Sequence, residues 1–144
     1  MGRNRRGSHT TTRLTVHLVW ATKYRYKVLK GDIQKRIRAI IRQDCKTLEI
    51  EILKGVVSKD HIHLHLEYPP KISISEILKQ LKGRSSRLIQ KEFPSLKKRY
   101  WGQRLWATGY GAWSSGNITD EMVQEYLEHH RKESDKGEDN FIIE

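Results

Sequence analysis

The sequence predicts an α+β fold, one antiparallel sheet with two helices on one face, and three observations carry that expectation. Residues 13–22 and 61–68 alternate in side-chain character at the period of two that a strand requires. Residues 31–48 and 73–93 instead repeat apolar side chains at helical spacing. Ser58-Lys59-Asp60 is turn chemistry that joins a strand at 49–57 to the one at 61–68. With a fourth strand at 105–113 the order becomes β-α-β-β-α-β, the ferredoxin-like arrangement. It sets the first and third strands side by side at the centre and leaves one sheet face bare.

Each element has its own justification. Residues 1–12 show no periodicity and read as a mobile basic arm. In the first strand Leu14, Val16, Leu18 and Trp20 face one way, and Arg13, Thr15, His17 and Val19 the other. Lys23-Tyr24-Arg25-Tyr26-Lys27 interleaves cations with aromatic rings. Such a segment either holds phosphates and stacks bases or is an ordinary loop whose tyrosines pack locally. Gly31-Asp32 opens a helix with Ile33, Ile37, Ile40, Ile41 and Leu48 on its apolar face and Cys45 among them as a buried thiol. Pro69-Pro70 stops the third strand, because neither residue can donate to a ladder. Ser73 with Glu76 is a capping box for the second helix, whose apolar face is Ile77, Leu78, Leu81, Leu88 and Ile89. Thr119 caps a last helix at 120–132, with Asp120 and Glu121 at the positive end of its dipole. An acidic tail fills 133–144, so a single domain at 13–132 lies between a basic arm and an acidic tail.

The chain has 144 residues, enough for one domain with a real core. Lys and Arg total 28 against 17 Asp and Glu, a formal charge of +11. That imbalance points to a polyanion, nucleic acid before membrane, since no basic amphipathic helix exposes Trp, Phe or Leu on its other face. Arg13, Lys23, Tyr24, Arg25, Lys82, Arg84 and Arg87 are the candidate contacts by charge and placement. No run approaches 18 apolar residues and no apolar stretch follows the basic start, so neither a membrane span nor a secretory signal is expected. With one cysteine and no internal disulfide, a reducing cytoplasmic setting is expected, nucleoid-associated when DNA is bound.

The chemistry concentrates in Asp60-His61-Ile62-His63-Leu64-His65-Leu66. Strict alternation puts His61, His63 and His65 on one face, about 7 Å apart, with Ile62, Leu64 and Leu66 anchoring the other. His17 belongs beside that row if the first and third strands are neighbours. On the last helix Tyr126 and His130 are i and i+4 and point the same way. Laid over the bare sheet face, that helix brings a phenol and a further imidazole to the row. Two strand imidazoles and His130 then make three metal ligands with positions left for substrate oxygen. Tyr126 becomes a nucleophile toward a phosphodiester, a poor one at neutral pH without a metal or base because a free phenol has a pKa near 10. The plainer alternatives are a solvated histidine row and, for Tyr126, a core aromatic between Met122 and His130.

At this point the residues resemble a known family. His61-Ile62-His63, preceded by Asp60 and followed by Pro69-Pro70, resembles the His-hydrophobe-His signature of the HUH endonucleases. Within these the chain is similar to the small single-tyrosine transposases of bacterial and archaeal insertion sequences, including the REP-associated type. His17 to Arg25 resembles their opening strand and loop, and Leu81-Lys82-Gly83 with Ser85-Ser86-Arg87 their second helix. Trp101-Gly102, Trp106, Gly109-Tyr110 and Gly116-Asn117-Ile118-Thr119 resemble the approach to the catalytic helix, where Tyr126-Leu127-Glu128 matches the nucleophile.

The resemblance implies metal ligands at His61 and His63 and a third at His130, where the family often carries an amide; His129 is the less favoured substitute. It implies Mg2+ or Mn2+, although three imidazoles also suit Zn2+. His65 is an extra imidazole, behind the ligands or facing DNA. It further implies a homodimer that binds single-stranded DNA with hairpin ends. Tyrosine attack leaves a 5′-phosphotyrosine and a free 3′-hydroxyl, and the catalytic helix is either kept or exchanged between protomers about a hinge at 114–117. Three other readings are weighed beside this one. A non-catalytic or domesticated hairpin-binding protein keeps the fold without the chemistry. A zinc hydrolase uses the histidines without Tyr126. A replication-initiator or relaxase relative is disfavoured by the absence of a helicase or primase segment.

Overall fold

The computed structural model describes residues 4–7, 9–96, 104–114 and 118–135, and of 129–135 the helical backbone alone. A four-stranded antiparallel sheet is built from β3 (Leu14–Ala21), β4 (Glu51–Val57), β5 (His61–Tyr68) and β6 (Gly111–Trp113), in the order β4-β5-β3-β6. The expected central pair is therefore β3 and β5, antiparallel from Leu14 opposite Tyr68 to Ala21 opposite His61. Alternation along both strands sorts the two faces as the sequence dictates. Val16, Leu18 and Trp20 from β3 and Ile62, Leu64 and Leu66 from β5 bury in one core with two helices. α1 (Gly31–Thr47) contributes Ile37, Ile40, Ile41 and Cys45, and α2 (Ile74–Glu92) contributes Ile77, Leu78, Leu81 and Ile89.

The helix signals act locally as predicted. Ser73 Oγ accepts from the Glu76 amide at 3.1 Å and so satisfies one orphan donor of α2. Burial pushes the Cys45 thiol up to about 12, so it stays protonated and inert. A third helix, α3 (Asp120–Asp135), begins behind Thr119, whose hydroxyl accepts from the Met122 amide at 3.2 Å. It covers the second sheet face, where Val123 and Leu127 bury against Val19 and Ala21.

Three expectations need correction. The N-terminal arm is not without structure in its described part, because β1 (Arg5–Arg6) pairs with β2 (Thr11–Thr12) as a short ribbon. The buried carboxylate of Glu67 explains it: both oxygens accept from Arg5 Nε, at 2.7 and 2.6 Å, and Arg5 also donates to the Glu49 carbonyl. The second strand starts at Glu51 rather than Glu49, since Glu49 takes a φ of 62° in the turn after α1. The fourth strand is three residues long instead of nine. Residues 105–107 do follow β3, with Lys23 N donating to Leu105 O and Ala107 N to Ala21 O, both at 2.9 Å. Gly109 at φ 90° then turns the chain before Gly111 resumes the pairing.

Candidate active site

The site is assembled by register. Pairing of β3 with β5 sets His17 opposite His65, Val19 opposite His63 and Ala21 opposite His61. The His17 ring stacks on His65 with centroids 3.9 Å apart and planes within 6°. Its Nδ1 lies 3.3 Å from His63 Nε2. A small cavity of about 230 Å3 opens here, lined by His17, Lys54, Val56, His63, His65, Ile118 and Asp120. Burial, together with the nearby His61, His65 and Lys54, holds the His63 imidazole below its ordinary value, against the pull of Asp120. His65 is lowered by burial and by Arg13. His63 and His65 are thus held toward neutral imidazole, the form that binds metals.

His61 is oriented by its neighbour in sequence. Asp60 Oδ1 lies 2.9 Å from His61 Nδ1. Burial works to raise the Asp60 carboxyl, but the bonds and charges of His61 and Arg25 outweigh it and hold it below its usual value. An ionised carboxylate only accepts, so Nδ1 carries a ring proton and Nε2 is the ring nitrogen that Asp60 leaves unengaged. The other carboxylate oxygen accepts from Arg25 Nε and Nη2, at 3.1 and 2.9 Å. Arg25 Nη1 reaches across to the carbonyl of Leu127 on α3, at 2.8 Å. Presenting that side chain places Tyr24 and Arg25 in the left-handed region, with φ 62° and 56°, at an expected cost of about 1–3 kcal/mol each.

Tyr126 is half-buried on α3, its ring edge-on to Trp113 with centroids 6.4 Å apart. Its helix lies over the face that carries the histidines. The side chains of His129 and His130 lie outside the described residues, as do Trp101, Gly102 and residues 115–117 of the expected hinge. Among the described residues no three His, Cys, Asp or Glu side chains gather as a metal-ligating group. The donor chemistry fits a divalent ion nonetheless: His61 keeps Nε2 while Nδ1 is engaged by Asp60, and His63 is held toward the neutral form, with Nε2 now facing His17.

Two of the expected DNA contacts point inward. Arg25 spends its guanidinium on Asp60 and α3, as above. Lys82 donates to the carbonyls of Ala107 and Gly109, at 3.0 and 2.8 Å, and burial pushes its pKa down to about 8. Arg84 pairs with Asp44 at 2.7 Å while keeping much of its side chain in solvent. Arg13, Tyr24 and Arg87 are exposed, and Lys23 lies 5.3 Å from the centre of the Tyr24 ring. Sequence reasoning missed the tie from Arg25 through Asp60 to His61, although the adjacency of Asp60 and His61 was a usable signal.

The fold is a ferredoxin-like sheet with an imidazole row beneath a tyrosine-bearing helix, and it is the fold of a transposase class. The model of the IS200-like transposase family matches residues 10–130, and the chain belongs to that family. It is 34% identical over 138 residues to the transposase for insertion sequence element IS200 of Salmonella typhimurium, covering 96% of this chain and 90% of that one. It is 33% identical over 130 residues to the ISDra2 transposase TnpA of Deinococcus radiodurans, covering 90% and 93%. A transposase crystal structure from Deinococcus radiodurans superposes with a TM-score of 0.81 at 32% identity, over 88% of this chain and 97% of that one. A REP-associated tyrosine transposase bound to a REP hairpin shares the fold, with a TM-score of 0.55 at 18% identity over 90% and 68%. The chain is thus a transposase, a DNA-cleaving enzyme by family. No helix among the described residues is long and apolar enough to cross a membrane.

Proposed function

We propose that this transposase cuts and rejoins single-stranded DNA at hairpin-bearing element ends, with Tyr126 as nucleophile. The observation that carries the reading is sidedness: α3 packs Tyr126 onto the same sheet face from which His61 and His63 project. In the step proposed, the phenolic oxygen forms a bond to phosphorus as the bond from phosphorus to the 3′ oxygen breaks. That leaves a 5′-phosphotyrosine and a protonated 3′-hydroxyl, and the phosphoester energy is kept for rejoining. His61 and His63, with His130 from α3, would hold a divalent cation, Mg2+ or Mn2+ with Zn2+ suited to three imidazoles. Bound there, the cation supplies charge stabilisation at the phosphate. Asp60 engages Nδ1 of His61 and so leaves Nε2 for the cation, and the apolar packing of Val123 and Leu127 sets the height of Tyr126 above the sheet. The exposed cations Arg13 and Arg87 and the Lys23-Tyr24 segment are the surface offered to phosphates and bases.

The partner chain is a second copy. β4 is an edge strand with Val56 exposed, a surface suited to pairing. Incubation of 5′- and 3′-labelled hairpin DNA with protein and Mn2+ should give a covalent complex that survives SDS. Tyr126→Phe should abolish it while keeping hairpin affinity within about twofold, and His61→Ala should slow it by at least about 100-fold. Binding without any adduct across several metals would leave a hairpin-binding module instead, and cleavage by Tyr126→Phe would point to a hydrolase.

A further inference from the structure

We propose that Arg25 is a positioning residue that ties the orientation of His61 to the docking of α3, an inference that rests on the tyrosine reading above. The geometry is a closed relay. His61 Nδ1 donates to Asp60 Oδ1 at 2.9 Å, and Asp60 Oδ2 accepts from Arg25 Nε and Nη2 at 3.1 and 2.9 Å. Arg25 Nη1 then donates to Leu127 O at 2.8 Å, one residue beyond Tyr126. All three guanidinium nitrogens are committed, and both ionic side chains are largely withdrawn from water, 16% and 12% exposed. Three of the five N–H donors are engaged in this way, and the guanidinium that carries them is held inward rather than offered to a phosphate.

The surroundings are built to hold it. Thr22 N donates to the Asp60 carbonyl at 2.9 Å and Thr22 Oγ1 to the Tyr26 carbonyl at 2.7 Å, pinning both ends of the loop. Arg25 N closes the turn onto Thr22 O at 2.9 Å, and two successive left-handed residues aim the side chain inward. Without Arg25, Asp60 loses its countercharge, the His61 ring loses its fixed acceptor, and the Leu127 carbonyl is released. The same arginine therefore sets the metal-facing nitrogen and the height of the nucleophile. Lysine can replace it only in part, keeping the countercharge to Asp60 but lacking the planar fork that spans Asp60 and the helix together.

The test compares wild type with Arg25→Gln, Arg25→Lys, Asp60→Asn and the Arg25→Gln/Asp60→Asn double variant. Hairpin affinity, adduct rate, the His61 tautomer by 15N NMR and amide exchange over 120–128 are followed together. Arg25→Gln should bind hairpin DNA as wild type does but form adduct about 10–100-fold more slowly. It should also show a mixed His61 tautomer and faster exchange in 120–128. Arg25→Lys, the variant safest for folding, should show the same signs in weaker form. The double variant should be no slower than its worse parent, because both changes break one relay. Parallel loss of hairpin affinity would make Arg25 a phosphate contact and overturn the proposal, as would full adduct rate or penalties that multiply. Should wild type form no adduct, the tyrosine reading fails by itself. The tautomer and exchange data then decide the relay: changed in Arg25→Gln, it stands; unchanged, it falls.

Discussion

His63 lines a small cavity together with His17, Lys54 and Asp120, and its imidazole is held below the ordinary value of 6.5. The folded protein therefore binds fewer protons at this residue than the unfolded chain does just below that pH. Stability then rises with pH through the window and is lost on acidification. His65 acts in the same sense. The urea midpoint should fall between pH 7.5 and pH 5.5, and His63→Gln should flatten that slope; an unchanged slope would mean His63 is not held neutral by the fold. At this scale the histidine row was legible in the sequence because alternation alone fixes which side chains share a face. The uses of Arg25 and Lys82 were not legible, since a count of cations carries no direction. Both turned inward because buried acceptors, the Asp60 carboxylate and the Ala107 and Gly109 carbonyls, needed donors.

Among the elements, α3 and β6 matter most to the site, and Gly111 is where they meet. A Cβ at Gly111 would stand 2.5 Å from Cη2 of Trp113 and 3.4 Å from Cδ1 of Tyr126. Gly111→Ala should cost about 1–3 kcal/mol in urea unfolding and slow adduct formation, because the added methyl crowds Trp113, whose ring packs edge-on to Tyr126. Gly83→Ala is the counterpart: a Cβ there meets nothing within 4 Å in the middle of α2, so a gain of about 0.5–1 kcal/mol is expected. An unchanged urea midpoint and adduct rate in Gly111→Ala would show that Trp113 gives way freely and that crowding does not govern this strand position. Caps at Ser73 and Thr119 were readable because their partners lie three residues away. The break in the fourth strand was not, since it depends on Gly109 and on the company of Trp106 and Trp20, edge-on at 5.8 Å.

For the molecule as a whole, one sheet separates two jobs. The face under α1 and α2 supplies the large core, while the other, under α3, supplies a smaller cluster, with Val19, Ala21, Val123 and Leu127 buried among the described residues. The arm, joined to Glu67 through Arg5, shows that a segment without internal periodicity can still be claimed by one buried charge. Strand order followed from the order of elements, whereas that long-range pair had no local signature. The central claim is that Tyr126, on the lightly anchored helix, takes the 5′ phosphate of a cut strand. It is tested most directly by digesting the protein–DNA adduct and sequencing the nucleotide-bearing peptide by mass spectrometry. The account predicts a 5′-linked nucleotide on the peptide containing Tyr126 and a free 3′-hydroxyl on the released strand. A nucleotide on any other residue, or a 3′ linkage at Tyr126, would contradict it.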